Sequence, residues 1–236
     1  MPLSLQVYVL IGAALVVLMF VGLLMRASPP VFRRFLGSRN PLWVFVGVIS
    51  AGALGLIFLA SRYGLEIFVP QNLAAWPFLF GLAAVFGLMM ILVDRRILFP
   101  ADINVAFPTS LLFYPAIGLL AEMLFHVLPL AVLLFLLNAV VKSANMPAML
   151  WVCIPLVALI EPVFQVKDMP AANRYPGWGI LVVGVLIYLI NLAMLVIFQR
   201  YDFFSMYAFR LFYYLFWHIL WGYMRLRLLF SANRAS

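Results

Sequence analysis

Seven apolar runs follow one another along the chain, separated by short polar breaks. The runs lie at 5–25, 41–61, 74–93, 109–137, 147–166, 178–198 and 203–229. A helix needs about 20 apolar residues to cross the hydrocarbon core of a bilayer, because each residue advances the helix by about 1.5 Å. Each run therefore predicts one transmembrane helix, and the whole of 1–236 is predicted to be a single all-α polytopic transmembrane domain.

The composition excludes a water-soluble globule. Of the 236 residues, 68% are hydrophobic and 9% are charged, whereas soluble domains carry about 25% charged residues. The net charge of +8 indicates contact with anionic lipid headgroups rather than nucleic acid in a chain of this kind. The one cysteine, Cys153, excludes an internal disulfide. The first run is longer than the core of a signal peptide and no Lys or Arg precedes it, so it is predicted to be a retained span.

The basic residues alternate from loop to loop, which predicts an orientation. The loops that follow the first, third and fifth runs, together with the tail, hold eleven basic residues: Arg26, Arg33, Arg34, Arg39, Arg95, Arg96, Lys167, Arg174, Arg225, Arg227 and Arg234. The other loops hold three: Arg62, Lys142 and Arg200. Since Lys and Arg concentrate in cytoplasmic loops, the N-terminus is predicted outside and the C-terminus inside. The expected location is the cell membrane, which is the inner membrane if the organism is bacterial.

The longest basic loop, at 26–40, also contains apolar residues. Phe32, Phe35 and Leu36 stand beside Arg33 and Arg34. This mixture is typical of a segment that lies at the membrane surface, so 26–40 is predicted to be a basic interfacial loop.

A few polar residues interrupt the apolar runs. They are Glu122, His126, Glu161, Gln165, Asn191, Arg210 and His218. Ionisable groups inside a membrane are costly and usually face the interior of the bundle. Glu122 and His126 are four residues apart and share a helix face, as do Glu161 and Gln165. The last run places Arg210, Tyr214, His218, Trp221 and Arg225 on one stripe, which predicts that this stripe lines an interior.

These residues support several chemistries, which the spacing alone leaves open. Glu122, Glu161 and His218 are candidate catalytic residues that would polarise water, with Gln165, Arg210 and Tyr214 in support. The set Glu122, His126, Glu161 and His218 would suit a divalent metal such as zinc. Other hypotheses are haem b held by His126 and His218, a transporter site at the helix-breaking prolines, and interior contacts such as Glu122 with Arg210 or His218 with Glu161.

Three short motifs resemble those of the CPBP (Abi) intramembrane proteases, the group that includes the CAAX prenyl proteases. "AEMLFH" at 121–126 is similar to the family's "EExxxR", and "EPVFQ" at 161–165 occupies the place of "FxxxH". In the last run, His218 matches the histidine of "HxxxN/D". The resemblance covers about 105–225 and implies a CPBP-like helical bundle with its core at 105–229. It also implies an intramembrane endopeptidase in which Glu122 is the second glutamate of the motif.

The chain departs from the family pattern at four motif positions. Ala121 replaces the first glutamate, His126 the arginine, Gln165 the middle histidine and Gly222 the terminal Asn or Asp. The carboxylate that would act as general base is absent from its usual position, although Glu161 could supply a substitute. The resemblance thus implies either an altered intramembrane hydrolase or an inactive relative that serves as an assembly, scaffold or partner-binding subunit. The expected partners are the lipid bilayer and another membrane protein or transmembrane helix, acting as partner or substrate.

Overall fold

The computed structural model describes residues 1–140, 146–167, 169 and 175–229, and it contains helices and turns but no β-strand within those ranges. The main helices are α1 (Leu3–Ala27), α2 (Pro41–Tyr63), α3 (Trp76–Ile97), α4 (Ser110–Val140), α5 (Met146–Ala158), α6 (Ile160–Val166), α7 (Gly177–Arg200) and α8 (203–229). Short helical turns precede α2 and α3, at Pro29–Phe32, Arg33–Leu36 and Pro70–Ala75.

Six helical segments in the described chain are long and apolar enough to cross a membrane, so the protein is a multi-pass membrane protein. They are α1, α2, α3 with the turn before it, α4, α5 joined to α6, and α7. The seventh predicted span forms α8, which is continuous but is not one of the six. It carries Arg210, His218 and Arg225 among several tyrosines and tryptophans. A seventh crossing and the direction of insertion remain predictions.

Polar side chains tie three chain segments together at the end of the bundle where α1 begins. Gln6 is bonded to the Glu66 carboxylate and accepts from the backbone N–H of Ile67 at 2.7 Å. Asp202 accepts from the backbone N–H of Val69 at 3.0 Å and also caps the first turn of α8. The starts of α1, α3 and α8 therefore lie at the same end, which we call the N-terminal end.

A buried ion pair closes the opposite end. Asp94, near the end of α3, accepts from Arg225 Nε at 2.5 Å, from Trp221 Nε1 at 2.7 Å and from the backbone N–H of Phe99 at 2.9 Å. Arg225 also donates to the carbonyl of Pro100 at 2.7 Å. Because its two ends are fixed beside the start and the end of α3, α8 runs parallel to α3 along its whole length.

Arg225 was counted among the basic residues of the tail, but it lies inside the bundle, as the stripe on the last run predicted. Arg225 is 1% exposed, since Asp94 and two backbone carbonyls satisfy its guanidinium. The third run was predicted to end at residue 93, but α3 continues to Ile97. The helix can continue past the apolar run because Asp94 is neutralised inside the bundle. Three residues of the charge pattern, Lys142, Arg174 and Arg234, lie outside the described residues.

The segment at 26–40 forms short helical turns, and one of its aromatic residues packs into the bundle. Phe32 is 1% exposed and contacts the rings of Phe45 and Phe113 at centroid distances of 5.7 and 5.8 Å. Arg33 and Arg39 remain exposed. The apolar residues of this loop therefore do not all face lipid, because Phe32 fills the space between α2 and α4.

Candidate functional site

Four ionisable side chains from three helices meet inside the bundle. Glu122 and His126 come from α4, Glu161 from α6 and Arg210 from α8, and none is more than 3% exposed. Arg210 is bonded through Nε to Glu122 and through its two terminal nitrogens to Glu161, at 3.1 and 2.8 Å. His126 Nδ1 lies 2.7 Å from the second oxygen of Glu122. We call these four residues the ion cluster.

Every carboxylate oxygen of the ion cluster has a protein partner. Arg210 and His126 occupy the two oxygens of Glu122, and Arg210 reaches both oxygens of Glu161. Gln165 Nε2 donates to Glu161 at 2.8 Å, and Arg210 also donates to the Tyr214 hydroxyl at 3.0 Å. The predicted supporting residues thus join the cluster, and the predicted contact of Glu122 with Arg210 is present.

Local irregularities in two helices bring the cluster together. Residues Glu122–Val127 of α4 form a π-helical stretch, in which the wider turn shifts the side chains relative to an α-helix. The run at 147–166 is interrupted at Leu159, so that Glu161 lies in the first turn of α6. Neither break was predicted by apolar periodicity. Gly118 lets α8 approach closely, because a Cβ there would lie 3.3 Å from the Tyr214 ring.

His218 lies outside the ion cluster. It belongs to a second π-helical stretch, Leu215–Trp221, and its ring stacks on Tyr114 at a centroid distance of 4.6 Å. Its Nδ1 is 2.7 Å from Asn104 Oδ1, so Asn104, and not Glu161, is the polar partner of His218. The Tyr214 ring lies 5.0 Å from the His218 ring, and the Tyr214 hydroxyl accepts from Arg210 of the cluster.

Asn104 is a site residue that the sequence analysis missed. It lies in the loop between α3 and α4, where a search for polar residues inside apolar runs does not look. A Cβ on Gly222 would lie 2.9 Å from Asn104 Cβ. At position 222 the family motif has Asn or Asp, whereas this chain has glycine. The Asn104 side chain from the loop therefore occupies the space that a side chain at 222 would fill. The small residue at 222 was the only sequence signal for this arrangement.

The ion cluster does not fit a zinc site. A metal would have to displace Arg210, whose guanidinium already bridges both carboxylates, and His218 is held elsewhere by Asn104. Among the described residues, no group of three or more His, Cys, Asp and Glu side chains could hold a metal ion.

The two histidines also do not fit axial ligation of one haem. His218 lines a cavity between α4, α6, α7 and α8, whereas His126 does not line that cavity. His126 is instead fully buried against Glu122.

A cavity of about 520 Å³ extends from the Asp94–Arg225 end of the bundle to the ion cluster. Its walls come from α4, α6, α7 and α8, with Phe99 and Pro100 near one end and Glu161 and Arg210 deeper inside. Leu124 and Phe164 line this cavity and are also 42% and 54% exposed. The wall of the cavity therefore includes side chains at the outer surface of α4 and α6.

Comparison with known proteins returns no relative. The chain matches no protein-family model, no curated protein and no solved structure. The resemblance to CPBP proteases consequently depends on the motifs at 121–126, 161–165 and 218–222. The geometry of the cluster and the cavity supplies the remaining evidence on function.

Proposed function

We propose that this protein is a non-catalytic, CPBP-like membrane protein that binds a hydrophobic partner from the bilayer. The observation that carries the proposal is the complete pairing of Glu122 and Glu161, whose four oxygens all accept from protein donors. In this proposal the ion cluster is a structural clamp at the inner end of the cavity, and the cavity is the binding site.

A general base must hold an unshared lone pair within reach of the proton that it removes. The carboxylate that could do this in the family motif is replaced by Ala121. Glu161, the substitute from α6, forms a two-point ion pair with Arg210 and also accepts from Gln165. Arg210 stabilises the charged form of Glu161 and occupies the positions where a water molecule would bind. Both effects favour a clamp over water activation.

An intramembrane hydrolase is the second candidate, and the contact between Asn104 and His218 favours it. With Asn104 Oδ1 accepting from Nδ1–H, the unprotonated nitrogen of His218 is Nε2, on a ring that lines the cavity. Such a nitrogen could take a proton from water while the hydroxide attacks a carbonyl carbon, and could then pass that proton to the leaving amine. In this candidate His218 is the base and Asn104 orients it.

A cleavage assay separates the two candidates. The protein would be reconstituted in liposomes with a fluorogenic prenylated peptide, the substrate class that the family resemblance implies. We expect wild-type protein to release no more fluorophore than empty liposomes. Cleavage that disappears in both His218→Ala and Asn104→Ala, with each variant still monodisperse on size exclusion, would replace the proposed function with the hydrolase.

A further inference from the structure

The size of the cavity limits what it can bind. Its volume of about 520 Å³ lies within the range of small-molecule sites, about 300–1,000 Å³. A 20-residue helix about 10 Å wide and 30 Å long occupies roughly 2,000 Å³. A transmembrane helix of a partner protein therefore does not fit, whereas one hydrocarbon chain does.

The walls of the cavity indicate a ligand that comes from the membrane. Ile117, Leu120, Val183 and Ile187 supply apolar surface from α4 and α7. The wall meets the outer surface of α4 and α6 at Leu124 and Phe164, which are exposed apolar side chains. In the proposal, a lipid chain enters past these two side chains without crossing water.

Two polar side chains on the cavity wall indicate the head of the ligand. Asn191 is 1% exposed on the cavity wall, and its side-chain Nδ2 has no hydrogen-bond partner among the described residues. A buried N–H group without a partner costs about 1–3 kcal/mol, which favours a ligand with an acceptor oxygen. His218 contributes Nε2 to the same cavity, an acceptor when Nδ1 donates to Asn104. The head should accordingly offer both an acceptor and a donor.

The charge at the inner end of the cavity excludes an anionic head. The ion cluster has two carboxylates and one guanidinium, and a proton on His126 would bring it only to neutrality. No excess positive charge faces the cavity from the cluster, and an unpaired anion inside a membrane protein is costly. The head group should therefore be uncharged.

We propose that the cavity binds one molecule of a neutral single-chain lipid whose head carries a carbonyl and a hydroxyl, as a monoacylglycerol does. The chain lies against the apolar wall of α4 and α7, and the head bonds to Asn191 and His218. This inference deepens the proposed function, on which it rests, by naming the hydrophobic partner.

The test measures binding of 1-monooleoylglycerol to the full-length protein in phosphatidylcholine nanodiscs by native mass spectrometry. We expect saturable binding of one molecule, and no comparable binding of oleate at pH 8. Ile187→Trp fills the cavity and should abolish binding, whereas Leu189→Trp on the exposed face of the same helix should not. Asn191→Leu should weaken binding about tenfold, because it removes one hydrogen bond.

The outcomes separate the inference from the function on which it rests. Absence of one-to-one binding, or equal binding by wild type, Ile187→Trp and Asn191→Leu, would overturn the lipid site. Release of oleate from the bound probe, lost in His218→Ala, would show hydrolysis and would overturn the non-catalytic function while leaving the site in place.

Discussion

Arg210 supplies the positive charge that faces Glu122 and Glu161 inside the bundle. Its guanidinium contacts two carboxylates that come from different helices, α4 and α6, and it is 3% exposed. A planar guanidinium can bind both oxygens of one carboxylate and still reach a second carboxylate through Nε, which an ammonium cannot do. Without it, two like charges would face each other away from water. The identity of this residue therefore matters for folding, whatever the cavity binds.

Arg210→Gln should strongly destabilise the protein, because it leaves Glu122 and Glu161 without their counter-charge. Breaking a buried ion pair by removing one partner costs about 3–5 kcal/mol, so the thermal unfolding midpoint in detergent should fall clearly. The unfolding midpoint of Arg210→Lys should lie between those of Arg210→Gln and the wild type. The matched control is Arg200→Gln, at an exposed position at the end of α7. Equal midpoints for Arg210→Gln and Arg200→Gln would contradict a structural role for the cluster.

Arg225 has a comparable role at the Asp94 end of the bundle. Arg225→Gln should loosen the loop after α3. In that loop the Phe99 N–H donates to Asp94, and the Pro100 carbonyl accepts from Arg225. Hydrogen exchange at residues 99–105 should become faster. Arg96→Gln removes a charge from the exposed face of α3, two residues from Asp94, and should leave that exchange unchanged. Unchanged exchange in Arg225→Gln would mean that the ion pair does not hold the loop.

At the scale of elements, the helices are placed by small residues and by π-helical stretches. Gly52 in α2 packs against Met123 in the π-helical stretch of α4, and a Cβ at Gly52 would lie 2.7 Å from Met123 Cβ. Gly87 in α3 allows the same close approach to Phe216 of α8. The two π-helical stretches also carry both histidines of the chain. Close contact and irregular turns thus occur in the same segments as the candidate site.

Gly52→Ala should destabilise the packing of α2 on α4, because the new methyl group would overlap Met123, which is fully buried. Overpacking of this kind costs about 1–3 kcal/mol. Gly47→Ala on the same helix is the control, since no atom lies within 4 Å of a Cβ there, and alanine should be neutral or slightly stabilising. Thermal unfolding of both variants in the same detergent measures the difference. A stable Gly52→Ala together with an unstable Gly47→Ala would contradict the described packing.

At the scale of the whole molecule, the two ends of the bundle are closed by different polar networks. Gln6, Glu66 and Asp202 fix the N-terminal end, and Asp94 with Arg225 fixes the other. These contacts establish which loops share a side. They agree with the alternation of basic residues, which predicts that the Asp94 end faces the cytoplasm.

Cysteine labelling tests that assignment. In a Cys153→Ser background, Arg62→Cys should react with a membrane-impermeant maleimide added to intact cells, and Arg39→Cys should react only after the membrane is opened. Arg62 is exposed in the last turn of α2, and Arg39 is exposed in the loop that follows α1. The opposite labelling pattern would reverse the predicted orientation without changing the fold.

The sequence predicted most of the fold but only part of the site. Apolar runs alone located the main helices to within a few residues, because a bilayer imposes both the length and the composition of a spanning helix. The i, i+4 spacing predicted that Glu122 lies beside His126 and that Glu161 lies beside Gln165, and both contacts are present in the structure. Spacing within a helix carries no information on which helices touch, so the bridging position of Arg210 could not be derived from it.

By itself, the sequence determined that this protein is a helical multi-pass membrane protein with a few polar groups inside its apolar segments, because hydrophobicity is a local property of each segment. Only the tertiary structure decided that Arg210 pairs both glutamates, that Asn104 from a loop holds His218, and that Arg225 pairs with Asp94. The partners in these contacts lie between 49 and 131 positions apart along the chain. Packing, and not local pattern, brings them within hydrogen-bonding distance.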